Sequence, residues 1–173
     1  MSQGPADRTA DEVDVLVEAW RRERPDLDVA PLEVLSRVGR LSRHLDLARR
    51  EAFAAHDLEP WEFDVLAALR REGEPYTLSP GRLLQVTLVT SGTMTNRIDR
   101  LEAKGLVARV PDPHDGRGVQ VVLTANGRTR VDAALTDLLG HERQILSALS
   151  AADRDRLADL LRRLTLPFDN AVD

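Results

Sequence analysis

The chain has 173 residues, 42% of them hydrophobic and only 3% aromatic, enough apolar material for one domain whose core is built mainly of Leu, Val and Ala. It holds no cysteine, which excludes disulfides, thiolate–metal centres and cysteine redox switches, and its four histidines, His44, His56, His114 and His141, lack metal-ligand spacing. Taken globally, a net charge of −5 and a pI of about 5.4 argue against a nucleic-acid binder; with no apolar leader and no run near the ~20 apolar residues of a membrane helix, a soluble cytoplasmic protein without metal or cofactor is expected.

In chain order, residues 1–9 read as a disordered tail. "ADEVDVLVEAWRRE" (10–23) reads as a short amphipathic helix with Val13, Leu16, Val17 and Trp20 on one stripe, within an added N-terminal element spanning 10–24. "RPDLDVAP" breaks it. A long helix follows from Leu32 to about Ala55, with Leu32, Leu35, Val38, Leu41, Leu45 and Ala48 near a helical period. Pro60 suits the first position of a helix that runs to about Glu72 and faces Phe63, Leu66, Ala67 and Leu69 inward. "REGEPYT" reads as a polar connection. Ser79 and Pro80 start a short helix to Val86, and "TLV" makes a tight turn.

Thr90 is then the expected N-cap of a helix ending at Lys104, with Gly105 just past its end and apolar Leu106 after it. "VARV" (107–110) and "VQVVL" (119–123) flank a tip of Asp, Gly and Arg and read as a hairpin. Thr124 caps a helix over roughly 125–147 carrying Val131, Leu135, Leu138 and Ile145, and Ser150 caps a last helix with Leu157, Leu160, Leu161 and Leu164 inside. The order of elements over 57–123 is that of a winged helix-turn-helix. The fold expected is mainly α, with a small β-hairpin wing and long dimerisation helices at both ends (25–56 and 124–166) before a tail at 167–173.

Charge supports this reading. Residues 1–30 carry eight acids against four arginines, whereas residues 79–130 carry eight Arg or Lys against four acids. In the helix after Thr90, Met94, Ile98 and Leu101 form a buried face, and Thr93, Asn96, Arg97 and Arg100 lie on or beside the other. Thr and Asn bond phosphates or base edges, and Arg grips guanine with two donors. Thr90, Ser91 and Thr95 join them near a helix N-terminus that attracts phosphate. At the wing tip Asp115 can orient Arg117 towards a narrow, negative minor groove. The plainer alternatives are a solvated amphipathic helix and an ordinary exposed turn.

"SGTMTNRIDRLEAKGLVARVPDPHDGRGVQVVLTANGR" resembles the recognition helix and wing of the MarR family of bacterial transcription regulators, with Asp112, Asp115, Arg117, "VVLT" and Gly127 in the pattern of that wing. The resemblance covers roughly 31–166 and implies a homodimer with two winged domains on a pseudo-palindromic DNA operator, acting as a repressor. The helix at 10–23 is similar to that of the urate-responsive members. Their effector residues, a Trp, an Asp and two Arg, match Trp20, Asp64, Arg97 and Arg109 here, although Phe63 stands where a Trp can occur and Trp61 lies two residues earlier. This implies release of DNA by a small anionic aromatic or purine effector, and an Asp64–Arg97 ion pair for that effector to break. Two other readings stay open: a ligand-independent DNA-binding regulator and a helical protein-interaction dimer. No phosphate loop, nucleophile–base pair or metal cluster points to an enzyme.

Overall fold

The computed structural model describes residues 10–87, 90–113 and 118–169. Among them the protein is mainly helical. Helices α1 (Glu12–Glu23), α2 (Ala30–Ala54) and α3 (Pro60–Arg71) precede a two-residue strand β1 (Thr77–Leu78). Then come α4 (Pro80–Thr87), α5 (Ser91–Ala103), the wing strands β2 (Val107–Pro111) and β3 (Val119–Leu123), α6 (Ala125–Ile145), a 3-10 turn at Leu146–Ala148, and α7 (Ala151–Asp169). None of these helices is long and apolar enough to cross a membrane.

The chain divides into two compact units within α2, one ending at Leu47 and the other starting at Ala48. In the first, Asp11 caps α1: its carboxylate accepts from the N–H groups of Val13 (2.8 Å) and Asp14 (3.1 Å), and Asp14 accepts from the Asp11 N–H (2.7 Å). Three N–H groups at the start of the helix are thereby satisfied. Arg37 of α2 binds Asp11 and Asp14 at 2.9 and 2.7 Å, clamping the start of α1 to α2. The apolar core here is small: Val13, Val17 and Val29, with Leu32 against them. The stripe expected on α1 is therefore only half right. Val13 and Val17, one turn apart, turn inward, and Leu16 and Trp20 remain exposed.

The second unit holds the main core. Almost all of α3 from Glu62 to Leu69 is buried, because α6, α4 and β3 all pack around it. The Phe63 ring stacks on Phe53 at 4.1 Å between centroids. The connection after α3, read from sequence as purely polar, contributes β1: Thr77 and Leu78 pair antiparallel with Val122 and Val121. The sheet is thus three-stranded in the order β1-β3-β2, and the wing hairpin runs from the Val107–Leu123 pair out to Pro111–Val119. The Asp112 N–H donates to Gly118 O at 2.9 Å where the hairpin leaves the described residues.

Caps expected from the sequence position several helices. Ser79 Oγ accepts from Arg82 N–H at 3.2 Å on α4. Gly105, at φ +67°, ends α5 and allows Leu106 N–H to reach back to Leu101 O at 2.9 Å, a helix stop with Leu106 buried behind it. Thr90 differs: it caps α5 through its carbonyl, bonded by Met94 N–H at 3.0 Å, and its hydroxyl pairs instead with the Thr93 hydroxyl at 2.9 Å. Helix α7 also differs, since none of residues 151–168 is buried and Leu160, Leu161 and Leu164 face solvent in the single chain. It runs on through Pro167 into the expected tail; the proline lies in the last turn, so little helix beyond it is disturbed.

One junction joins three elements. Thr124 Oγ1 accepts from Gly127 N–H at 3.0 Å and donates to Gly105 O at 2.8 Å, and Thr124 N–H bonds Leu106 O at 3.1 Å. A Cβ on Gly127 would lie 2.1 Å from Leu106 O and 2.8 Å from Leu123 Cδ1. Because the first obstacle is backbone, Gly127→Ala should destabilise the protein by about 1–3 kcal/mol, the usual cost of overpacking. Thermal denaturation checks this, and an unchanged midpoint would refute the close approach.

Candidate nucleic-acid interface

Helix α5 divides as its sequence demands. Met94, Ile98 and Leu101 are buried in the main core, which fixes the rotation of the helix. On the opposite side Gly92, Thr93, Asn96, Arg97 and Arg100 line one open cleft together with Glu59 and Trp61 from the start of α3. Thr90, Ser91 and Thr95 are also exposed, and the Thr95 hydroxyl donates to Ser91 O at 3.2 Å. Short polar groups and two arginines thus stand on an outward face held by an apolar inner one.

The arginines of this face are held from α3. The guanidinium carbons of Arg97 and Arg100 lie 5.4 and 4.8 Å from the centroid of the Trp61 ring. Trp61 Nε1 donates to Glu59 Oε2 at 2.6 Å, and Arg100 Nη2 donates to Glu59 Oε1 at 3.0 Å. The indole N–H, and after it Arg100 and Lys104, hold the Glu59 carboxyl below its ordinary range against a burial effect of opposite sign. Its folded-state pKa being lowered, this contact is present above the ordinary carboxylate range and is lost as pH falls.

Beneath this layer lies Glu62, fully buried on α3. Its Oε2 accepts from Lys104 Nζ at 2.9 Å and from the Glu59 N–H at 2.9 Å, and Lys104 also reaches Asp57 O at 3.3 Å. Its Oε1 has no partner among the described residues. At the other edge of α5, Arg109 of β2 pairs with both Asp99 and Glu102, and its backbone N–H bonds Glu102 Oε1 at 3.0 Å. Burial works against the Arg109 charge, but the two carboxylates outweigh it and raise its pKa.

Three of the residues expected at an effector site, Asp64, Arg97 and Arg109, have other partners. The Asp64–Arg97 ion pair expected from the sequence is not formed: Asp64 pairs with Arg49 of α2 at 3.1 Å, and Arg97 lies over Trp61. Asp64 is half exposed. Arg109 braces the wing against α5. Trp20 is 48% exposed and lines, with Leu27, Asp28, Val29, Pro31 and Leu32, a mostly apolar hollow of the first unit. Asp115 and Arg117, expected at the wing tip, lie outside the described residues. Sequence reading missed Glu59, Glu62, Asp99, Glu102 and Lys104 and gave Trp61 no role. The available signal was a Trp at the start of a helix in a chain with two, between two glutamates.

Comparisons with known proteins agree with this fold. The model of the MarR family matches residues 56–118. The chain is 39% identical over 153 residues to the HTH-type transcriptional regulator PecS of Dickeya dadantii, covering 88% of this chain and 92% of PecS. It is 31% identical over 149 residues to the HTH-type transcriptional repressor NicR of Pseudomonas putida, covering 84% and 92%. Among solved structures, a mutant MarR from E. coli complexed with operator DNA superposes with a TM-score of 0.64 at 28% identity, over 79% of this chain and 94% of that one. A MarR family protein from Bacillus stearothermophilus shares the fold with a TM-score of 0.70 at 24% identity, over 83% and 99%.

The buried carboxylate gives a test of how α5 is held. Lys104→Met leaves the buried Glu62 carboxyl without its lysine partner, which should cost about 1–3 kcal/mol. Adding Glu62→Gln should recover part of that loss, because the two effects are coupled. Urea denaturation of the single and double variants measures it, and strictly additive losses would show that the pair does not act as a unit.

Proposed function

Because the chain belongs to the MarR family of helix-turn-helix transcription regulators, we propose that it is a repressor, not an enzyme, that binds a pseudo-palindromic operator as a homodimer. Helix α5 enters the major groove with Thr90, Ser91, Thr93, Thr95, Asn96, Arg97 and Arg100, and the wing brings Asp115 and Arg117 to the adjacent backbone and minor groove. Residues 57–123 form the DNA-binding part, and 25–56 with 124–166 the dimerisation part. The observation that carries this is the outer face of α5, where Thr93, Asn96, Arg97 and Arg100 share one open cleft above a fully anchored inner face. Donors of this kind meet phosphate and base edges. Exposed Leu160, Leu161, Leu164 and Phe168 on α7, and Leu35, Val38 and Leu41 on α2, support the dimer, since apolar faces of this kind are costly in water.

The DNA reading is tested on a duplex selected by the protein from random sequence. Arg100→Ala should weaken binding and flatten the log–log salt dependence by about one unit if Arg100 meets a phosphate. Arg117→Ala should weaken binding without lowering thermal stability. Sedimentation should give two chains per duplex, with recognition helices ~34 Å apart or a multiple of it. Unchanged affinity in both variants would refute the interface.

We further propose that a flat anion, purine-like or aromatic, releases the operator through Trp20, Asp64, Arg97 and Arg109. Arginine supplies charge-assisted bonds and the exposed indole of Trp20 a stacking face. An anion that takes Arg109 from Asp99 and Glu102, or Arg97 from the Trp61 face, loosens α5 or the wing. Weakening the operator about a hundredfold requires a coupling of only ~2.7 kcal/mol. Urate, xanthine and salicylate titrated against the operator complex should lower its affinity, and Trp20→Ala and Arg109→Ala should blunt that effect. If all three leave affinity unchanged, the protein is a ligand-independent regulator towards these classes.

A further inference from the structure

Arg97, Arg100 and Lys104 stand at i, i+3 and i+7 on α5 and its cap, a spacing that aligns side chains along one stripe. Each is met from a single short segment, Glu59–Pro60–Trp61–Glu62. Trp61 faces both guanidinium groups, Glu59 bonds Arg100, and Glu62 bonds Lys104. The carboxylate that holds Arg100 also holds the indole N–H, at 2.6 Å, so ring and arginine are fixed by one group. The start of α3 is a cradle for the basic stripe of α5.

The cradle has an energetic consequence for DNA. Glu59 and a DNA phosphate are both anionic oxygens, and they compete for Arg100. A guanidinium has five N–H donors, and the bond to Glu59 occupies one of them. Duplex of arbitrary sequence rewards an arginine almost entirely through phosphate charge. A matching site adds base edges that need the planar fork in one orientation. Holding the fork against an aromatic face reduces the freedom lost when it docks. The nearby carboxylate meanwhile opposes phosphate contacts of every sequence.

We infer that Glu59 and Trp61 are specificity-determining residues: they position Arg97 and Arg100 and widen the affinity gap between the operator and bulk DNA. This rests on the proposed placement of α5 in the groove. The two residues act through the arginines and need not touch DNA.

The test uses the full chain and two duplexes of equal length and composition, one selected by the protein from random sequence and one scrambled, followed by fluorescence anisotropy at fixed salt. Glu59→Gln should raise affinity for the scrambled duplex roughly fivefold, the scale of one exposed charge at contact distance, and affinity for the selected duplex by less than about twofold. Trp61→Leu should lower affinity for the selected duplex about tenfold while changing the scrambled one less than about twofold. Trp61→Phe keeps a ring face and should restore most of the ratio. Equal changes on both duplexes in Glu59→Gln and Trp61→Leu would overturn the inference. Should Trp61→Leu fail to fold, the ratios from the exposed Glu59→Gln and from Trp61→Phe decide alone. Arg100→Ala separates the two levels. If it changes neither duplex, the placement of α5 is wrong; if it weakens the selected duplex while the Glu59 and Trp61 variants keep the ratio, only the cradle is refuted.

Discussion

Helix α6 can start where it does only because its third residue has no side chain. Gly127 brings the first turn of α6 against the carbonyl of Leu106, and Thr124 bonds the carbonyls of Gly105 and Leu106. The end of α5, the end of the wing and the start of α6 therefore share one set of backbone bonds. The outward face of α5 is consequently set at two ends: by this junction at its C-terminus, and by Met94, Ile98 and Leu101 along its inner face. Any displacement of α6 is felt first at the turn that stops α5.

Around that frame, polar contacts flank α5 on two sides. Glu62, with Lys104, ties it to α3 from within the protein, and Arg109 ties Asp99 and Glu102 to the wing from without. Burying Glu62 is costly, and its two accepted bonds at one oxygen offset only part of that cost. Its neighbours Glu59 and Trp61 are exposed or half-buried and contact Arg97 and Arg100 on the outward face instead. One helical turn thus packs into the core and holds the outward arginines of α5.

What was legible in the sequence were the local features. Ser79, Thr124 and Gly105 announced helix ends because caps are written in adjacent residues, and the buried face of α5 followed from its spacing. What was not legible depended on pairing between distant segments. Strand β1 is two residues long and exists because β3, more than forty positions on, offers a free edge; nothing local distinguishes Thr77–Leu78 from a loop. Arg100 meets Glu59 across 41 positions. Asp64 looked like the partner of Arg97 because both types suit an ion pair, but Arg49 on α2 lies nearer to it. On α1, four apolar residues fit one helical stripe, yet the small core of that unit takes in only the two valines and leaves Leu16 and Trp20 outside. The face of α7 was read as inward because Leu repeats at helical spacing; among the described residues of one chain, Leu160, Leu161 and Leu164 stay exposed.

Strand β3 is the middle strand of the sheet, bonded to β2 on one side and to β1 on the other. A lone hairpin would bend freely about its root, but this one is gripped along its inner half by a strand that sits between α3 and α4 in the chain. Mechanically the wing is a cantilever with a built-in support. A load on the outer part of β2 and β3 produces a torque at Thr77–Leu78, directly before the first helix of the helix-turn-helix, so the hairpin and α4 cannot be loaded independently.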